Sequence, residues 1–241
     1  MKKLDTSLYF ITDSTGFSEE EFLRRTQAAL QGGVTLLQIR EKNRTTREYM
    51  SLAEKVHALA LPYGVPLLID DRLDVAMAID AEGVHLGQSD LPIAIARRIL
   101  GPDKIVGATA KTVPQALEAY EQGADYLGVG AIYPTTTKVK TVLTSTDTLR
   151  DICKAVPIAV NAIGGLNRDN IDVLQGTGIA GICVVSAIMK AADPRQAALD
   201  LRARAEQLHI LQNPTRKFVS ASVPGPSSGR SGAPLSAAIE K

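Results

Sequence analysis

The residues of this chain best suited to chemistry stand at the ends of short apolar runs. In TLLQIREK, Leu36, Gln38, Arg40 and Lys42 occupy alternate positions, so one strand face carries a leucine into the interior and then an amide and two cations. An arginine offers bidentate geometry and a lysine a point charge, which together suit a phosphorylated ligand; the bland reading is a strand end with cations reaching solvent. Asp70 and Asp71 close the next apolar run, and Asp90 follows the one after, in GVHLGQSD. Neighbouring strands lie about 5 Å apart, so Asp71 and Asp90 could reach one ion from adjacent strand ends. Two carboxylates plus ligand phosphates and water commonly hold Mg²⁺. Equally, Asp90 near Pro92 could cap a helix, and Asp71 could pair with Arg72 or Arg40.

Further along, YPTTTKVKTVLT (133–144) is long for a connection between packed elements, and such segments often serve as lids or binding loops. Thr135, Thr136 and Thr137 offer hydroxyls, and Lys138 and Lys140 offer charge. Thr109, in VGATAKT, could donate another hydroxyl or help to cap the following helix. Gly164 and Gly165, and then Val185 and Ser186, each lie between an apolar run and a helical pattern. Backbone N–H groups can approach a phosphate at such places, and glycine permits the close approach. Among the histidines, His57 falls in a helical stretch and His209 near the end of the last one, while His85, beside a strand end, could line the pocket but is expected to pack. No Ser-His-Asp set, GxGxxG or Cys/His metal spacing is evident.

These residues need a scaffold that brings many strand ends together. Eight strand candidates (8–12, 35–39, 66–69, 83–86, 104–107, 126–129, 158–160 and 181–185) alternate with helical patterns at 18–31, 46–61, 73–80, 92–100, 113–122, 145–155, 168–175 and 195–208. Gly32-Gly33, Gly64, Gly83 and Gly123 each follow a helical stretch and are read as helix stops. Eight βα pairs in this order predict a (β/α)8 barrel with its polar chemistry on the carboxyl-end face. The 241 residues suit one such domain, assigned to 1–211.

The 27 basic and 26 acidic residues leave a formal charge of +1, so no general electrostatic case exists for nucleic acid or an anionic membrane. No apolar stretch approaches the roughly 20 residues of a membrane span. The apolar run near the start is too short for a signal segment, and Cys153 and Cys183 read as reduced side chains of a cytoplasmic protein. Small molecules are the expected partners, on a surface that leaves room for a homo-oligomer. Residues 212–241 are rich in Pro, Gly and Ser and lack an apolar period, so they are read as a flexible tail. A chain ending at Leu211 is therefore expected to keep its melting temperature and its activity. A large loss of either on truncation would contradict this.

The motifs LYFITD (8–13), QIREK (38–42), DDR (70–72), GVHLGQSD (83–90), GATAKT (107–112), GADYLGVGAIYPTTTK (123–138), AIGG (162–165) and VVSAI (184–188) occur together in order. In them the chain resembles the thiamine-phosphate synthase family over roughly residues 8–208. The resemblance implies joining of a hydroxymethylpyrimidine diphosphate to a hydroxyethylthiazole phosphate, with release of pyrophosphate. It places Gln38, Ile39, Arg40, Glu41, Lys42, Asp70, Thr109 and Lys138 at the pyrimidine diphosphate, with Arg40, Lys42 and Lys138 catalytic. It places Mg²⁺ on Asp71 and Asp90, and the thiazole phosphate on Thr135, Thr136, Thr137, Gly165, Val185 and Ser186. Asp70 departs from the family, where Asn is often found. The implied chemistry is ionisation at a benzylic-type carbon followed by attack of the thiazole nitrogen, which needs no protein nucleophile and matches the absence of a triad. Two rivals remain: a paralogue that isomerises the thiazole phosphate, and a non-catalytic sensor of phosphorylated ligands.

Overall fold

The computed structural model describes residues 4–135 and 142–211. Eight parallel strands close into a barrel in chain order: β1 (Leu8–Ile11), β2 (Leu36–Ile39), β3 (Leu67–Asp70), β4 (Gly83–Leu86), β5 (Ile105–Ala110), β6 (Tyr126–Gly130), β7 (Ala159–Ile163) and β8 (Gly181–Val184). Closure is made by β8 pairing with β1, with Tyr9 opposite Cys183. The helices are α1 (Glu19–Gln31), α2 (Thr46–Ala60), α3 (Leu73–Ala78), α4 (Ile93–Leu100), α5 (Val113–Glu121), α6 (Thr146–Ala155), α7 (Ser186–Met189) and α8 (Pro194–Gln207). The barrel expected from the sequence is the fold observed.

Local chemistry starts most of the helices. Ser18, Thr45, Thr112, Ser145 and Asp193 each accept a backbone N–H of the first turn with a side-chain oxygen, and Thr45 with Glu48 completes a capping box. The alternation of the strands then divides the apolar side chains. Leu37, Ile39, Ile69, Val84 and Leu127 join the large core under the helices. Tyr9, Ile11, Leu36, Leu68, Tyr126 and Cys183 form a smaller core inside the barrel.

Three expectations are corrected. The helix at 168–175 is only a 3-10 turn, Ile171–Leu174. Here Asn167 accepts from the Asp169 N–H and Asn170 from the Asn167 N–H, side-chain bonds that close local turns ahead of Ile171. Gly83 is not a helix stop but lies within β4, where a Cβ would stand 2.0 Å from the Ile105 carbonyl oxygen. Asp80, at φ 53°, takes the left-handed position after α3 instead. Finally, β5 and β7 each run three residues beyond their expected ends, which puts Thr109 inside a strand.

The amino-terminal end of the barrel carries a stability element. Arg97 of α4 donates to the carbonyls of Gly101 (2.9 Å), Lys104 (2.7 Å) and Gly123 (2.9 and 3.1 Å) and to the Asp125 carboxylate (2.5 Å). Asp125 also accepts the Val106 N–H at 2.7 Å, and burial raises its carboxyl pKa against the pull of Arg97. Removing one member leaves a largely buried charge unpaired. Arg97→Ala should cost about 3 kcal/mol, lowering Tm by roughly 6–12 °C, with turnover at the opposite end unchanged. Parallel calorimetry and kinetics would check it; an unaltered Tm would contradict it.

Candidate active site

The barrel mouth gathers the polar residues expected there. Arg40 and Lys42 leave the end of β2 and meet the end of β3. The Lys42 ammonium lies 2.9 Å from the Asp70 carboxylate and bonds that of Asp71, while the Arg40 Nε stands 3.6 Å from Asp70. Burial would lower the Lys42 pKa, but Asp70 and Asp71 together raise it. Asp70 is nearly enclosed, and burial, reinforced by Asp71, pushes its carboxyl up to about 6 despite Lys42 and Arg40. Both clamp cations thus already face a carboxylate.

Asp71 sits at φ 60°, in the left-handed region, and its N–H is held by the His85 carbonyl at 2.9 Å. A non-glycine residue held there costs about 1 kcal/mol or more, and such strain gathers at functional sites. Its carboxyl is within hydrogen-bonding reach of Asp90. Burial raises both acids, but Lys42 and the Asp90 contact hold Asp71 below the usual carboxylate range, whereas the Asp71 contact lifts Asp90 further. The capping alternative for Asp90 is not what the fold uses: α4 has no side-chain cap, and Asp90 turns back to accept the Gly87 N–H at 2.7 Å. Arg72 is occupied by Asp74 and Thr46. Two hard carboxylate oxygens brought into contact, beside an ammonium that bonds one of them, are a donor set that fits Mg²⁺. Among the described residues no group of three or more His, Cys, Asp or Glu could hold a metal, so ligand phosphates and water would complete such a site.

Ile39 and Glu41 stand differently from the clamp. The Ile39 side chain belongs to the outer core, and its carbonyl accepts the Tyr49 hydroxyl at 2.7 Å. Glu41 accepts from Ser14 at 2.9 Å and from Arg44 at 3.0 Å. The alternation that aims Gln38, Arg40 and Lys42 at the mouth turns these two side chains away.

Gln38 and Thr109 are joined through the barrel interior. Gln38 Nε2 donates to the Tyr9 hydroxyl at 2.6 Å, Tyr9 and Tyr126 hydroxyls meet at 2.8 Å, Tyr126 meets His85 Nδ1 at 2.8 Å, and His85 Nε2 meets Thr109 Oγ1 at 3.0 Å. Thr112, not Thr109, caps α5. Gly107 makes room for Tyr126, since a Cβ there would lie 2.2 Å from its ring. His85, expected to pack, thus has polar neighbours on both ring nitrogens. Its inward parity beside a strand end was the available signal.

On the other side of the mouth, Gly164 (φ 105°) and Gly165 (φ 64°) turn the chain after β7. A Cβ on Gly165 would lie 2.7 Å from the Tyr133 Cβ and 2.8 Å from the Pro134 oxygen, so only glycine lets the start of the threonine segment lie against it. The Tyr133 N–H donates to Gly164 at 3.0 Å, and Thr144 returns to donate to Ala131 at 2.8 Å. Asn170, not singled out from the sequence, anchors Gly165 by donating to its carbonyl at 2.9 Å. Thr135 follows directly on Pro134, and Val185 and Ser186 lie where β8 passes into α7. Thr136, Thr137, Lys138 and Lys140 lie outside the described residues, as does the segment 212–241.

Asp70 invites a direct test. A neutral amide there would free Arg40 of its carboxylate, leave Lys42 opposed by Asp71 alone, and could itself donate to a phosphorylated ligand. Asp70→Asn should lower KM for the pyrimidine diphosphate that the family resemblance implies by roughly three- to tenfold, about 1 kcal/mol. A raised KM would show that this carboxylate assists binding.

A (β/α)8 barrel whose mouth combines a cation pair, a carboxylate pair and a glycine turn is an enzyme scaffold for small molecules. The family model for thiamine monophosphate synthase matches residues 8–188, and the chain belongs to that family. It is 54% identical over 186 residues to thiamine-phosphate synthase 2 of Streptococcus pneumoniae, covering 77% of this chain and 89% of that one. To thiamine-phosphate synthase of Enterococcus faecalis it is 51% identical over 184 residues, covering 76% and 87%. The solved structure of thiamine phosphate pyrophosphorylase from Pyrococcus furiosus matches with a TM-score of 0.76 at 41% identity, over 84% of this chain and 96% of that one.

Proposed function

We propose that this enzyme condenses 4-amino-2-methyl-5-(diphosphooxymethyl)pyrimidine with 4-methyl-5-(2-phosphooxyethyl)thiazole to give thiamine phosphate and pyrophosphate. The carbon–oxygen bond to the diphosphate breaks, the electron pair leaves with pyrophosphate, and the thiazole nitrogen forms the new carbon–nitrogen bond. The aminopyrimidine stabilises the intervening cation, so the protein's work is electrostatic and positional. Arg40 and Lys42 lie where they can neutralise the departing diphosphate, with Lys138 assigned the same role by the family motif. Gln38 and Thr109 flank the pyrimidine side, while Thr135, Gly165, Val185 and Ser186 suit the thiazole phosphate, with Thr136 and Thr137 assigned there by motif. Asp71 and Asp90 would hold Mg²⁺, which when bound supplies positive charge against the leaving group.

The observation that supports this reading most is the cation pair Arg40–Lys42 beside the carboxylate pair Asp71–Asp90. A barrel that isomerised the thiazole phosphate would have no use for a diphosphate clamp, and a non-catalytic sensor of phosphorylated ligands would have no need of a metal pair. Among the described residues no helix is long and apolar enough to cross a membrane, and both cysteines are free. A cytoplasmic location accords with the proposed biosynthetic role. Incubation with both purified substrates should yield thiamine phosphate and pyrophosphate in equal amounts. Isomerisation of the thiazole phosphate alone, or binding without product, would overturn the reading.

A further inference from the structure

The path Gln38–Tyr9–Tyr126–His85–Thr109 crosses the barrel from β2 to β5, and its three middle members were assigned no role in the reaction. Each phenol has one proton, and both are fully enclosed. Gln38 donates to Tyr9, so the Tyr9 proton is left to bond Tyr126. The Tyr126 proton then goes to His85 Nδ1, which must be bare, and the histidine carries its proton on Nε2 and donates to Thr109. Thr109 Oγ1, having accepted, turns its own proton toward the mouth. With Gln38 in its observed orientation, donating from Nε2, a proton on His85 Nδ1, alone or as an imidazolium, would leave one buried phenol proton on this path without an acceptor. That costs about 1–3 kcal/mol, enough to select one polarity.

We infer that Tyr9, Tyr126 and His85 are positioning residues that set hydrogen-bond polarity across the active site, fixing Thr109 as a donor to the diphosphate while Gln38 keeps its amide oxygen as an acceptor. This rests on the assignment of Gln38 and Thr109 to the pyrimidine diphosphate. The two ends then complement a ligand with an acceptor-only diphosphate and a ring amine that donates. The polarity is a property of the whole path, because each hydroxyl passes on as donor what it receives as acceptor.

Nitrogen NMR of histidine-labelled protein, with His85→Gln to assign the signal among the three histidines, reads the tautomer without any ligand. The wild type should show His85 protonated on Nε2 alone; a proton on Nδ1 overturns the proposal. Gln38→Glu, which presents an ionised acceptor to Tyr9, should reverse the path and move the His85 proton to Nδ1. The double variant Gln38→Glu/Tyr9→Phe keeps the new charge but cuts the path, and should retain the Nε2 form. If both variants change the histidine alike, charge acts through space and the relay is wrong. Calorimetry with inorganic pyrophosphate should show Thr109→Val and Tyr126→Phe each weakening binding roughly fivefold, with the double variant no weaker than Thr109→Val alone. Additive losses would overturn the coupling. Turnover of the wild type with both substrates reports separately on the proposed reaction, so its failure would leave the tautomer result standing.

Discussion

Replacing Asp71 or Asp90 with alanine is expected to reduce turnover roughly 100- to 1000-fold while leaving the barrel folded. The two carboxyls come from adjacent strand ends and touch, an arrangement that in isolation costs stability through like-charge contact. Neither is part of the apolar core, and truncation trades relief of repulsion against loss of the Asp71–Lys42 and Asp90–Gly87 bonds, so the barrel should stay folded with only a small change in Tm. What is lost is the hard-oxygen pair that suits a divalent cation beside the diphosphate. Wild-type activity should depend on added Mg²⁺, and Mg²⁺ with pyrophosphate should raise its Tm but not that of either variant. Near-normal turnover of both variants at limiting Mg²⁺ would dismiss the assignment. Collapse of Tm in either one would mean that the pair is structural.

Lys138→Ala should slow the chemical step by roughly 30- to 1000-fold, whereas Lys140→Ala should be nearly neutral. Both lysines lie outside the described residues; on the described side, Tyr133 and Pro134 lie against Gly165, and the Thr144 N–H donates to the Ala131 carbonyl at 2.8 Å. A charge-assisted contact to a departing diphosphate is worth about 2–4 kcal/mol, and it strengthens as the leaving group gains charge. The loss should therefore fall on the single-turnover rate more than on ground-state binding of either substrate. Equal, small effects of the two substitutions would refute the role.

What the chain determined by itself was the class of fold and the main chemistry of the mouth. Period-two alternation in LLQIREK aims Gln38, Arg40 and Lys42 along one line and turns Ile39 and Glu41 away, and that follows from strand geometry alone. Helix starts were legible because Ser18, Thr45 and Ser145 cap through contacts three residues away. Where sequence reading went astray, a distant partner or a competing local bond decided. The asparagines at 167 and 170 closed local turns where a helix was expected to start. Gly83 was needed for its closeness to Ile105, 22 positions on, and not for a turn. Capping and metal binding look alike for Asp90 in one dimension; only the fold, by bringing the end of β3 against the loop after β4, turned the carboxyl to Gly87 and Asp71. The path from Gln38 to Thr109 was least legible of all. Its contacts join β1, β2, β4, β5 and β6, and no local spacing records that a closed barrel will stack these side chains in one interior, where burial makes every unpaired proton costly.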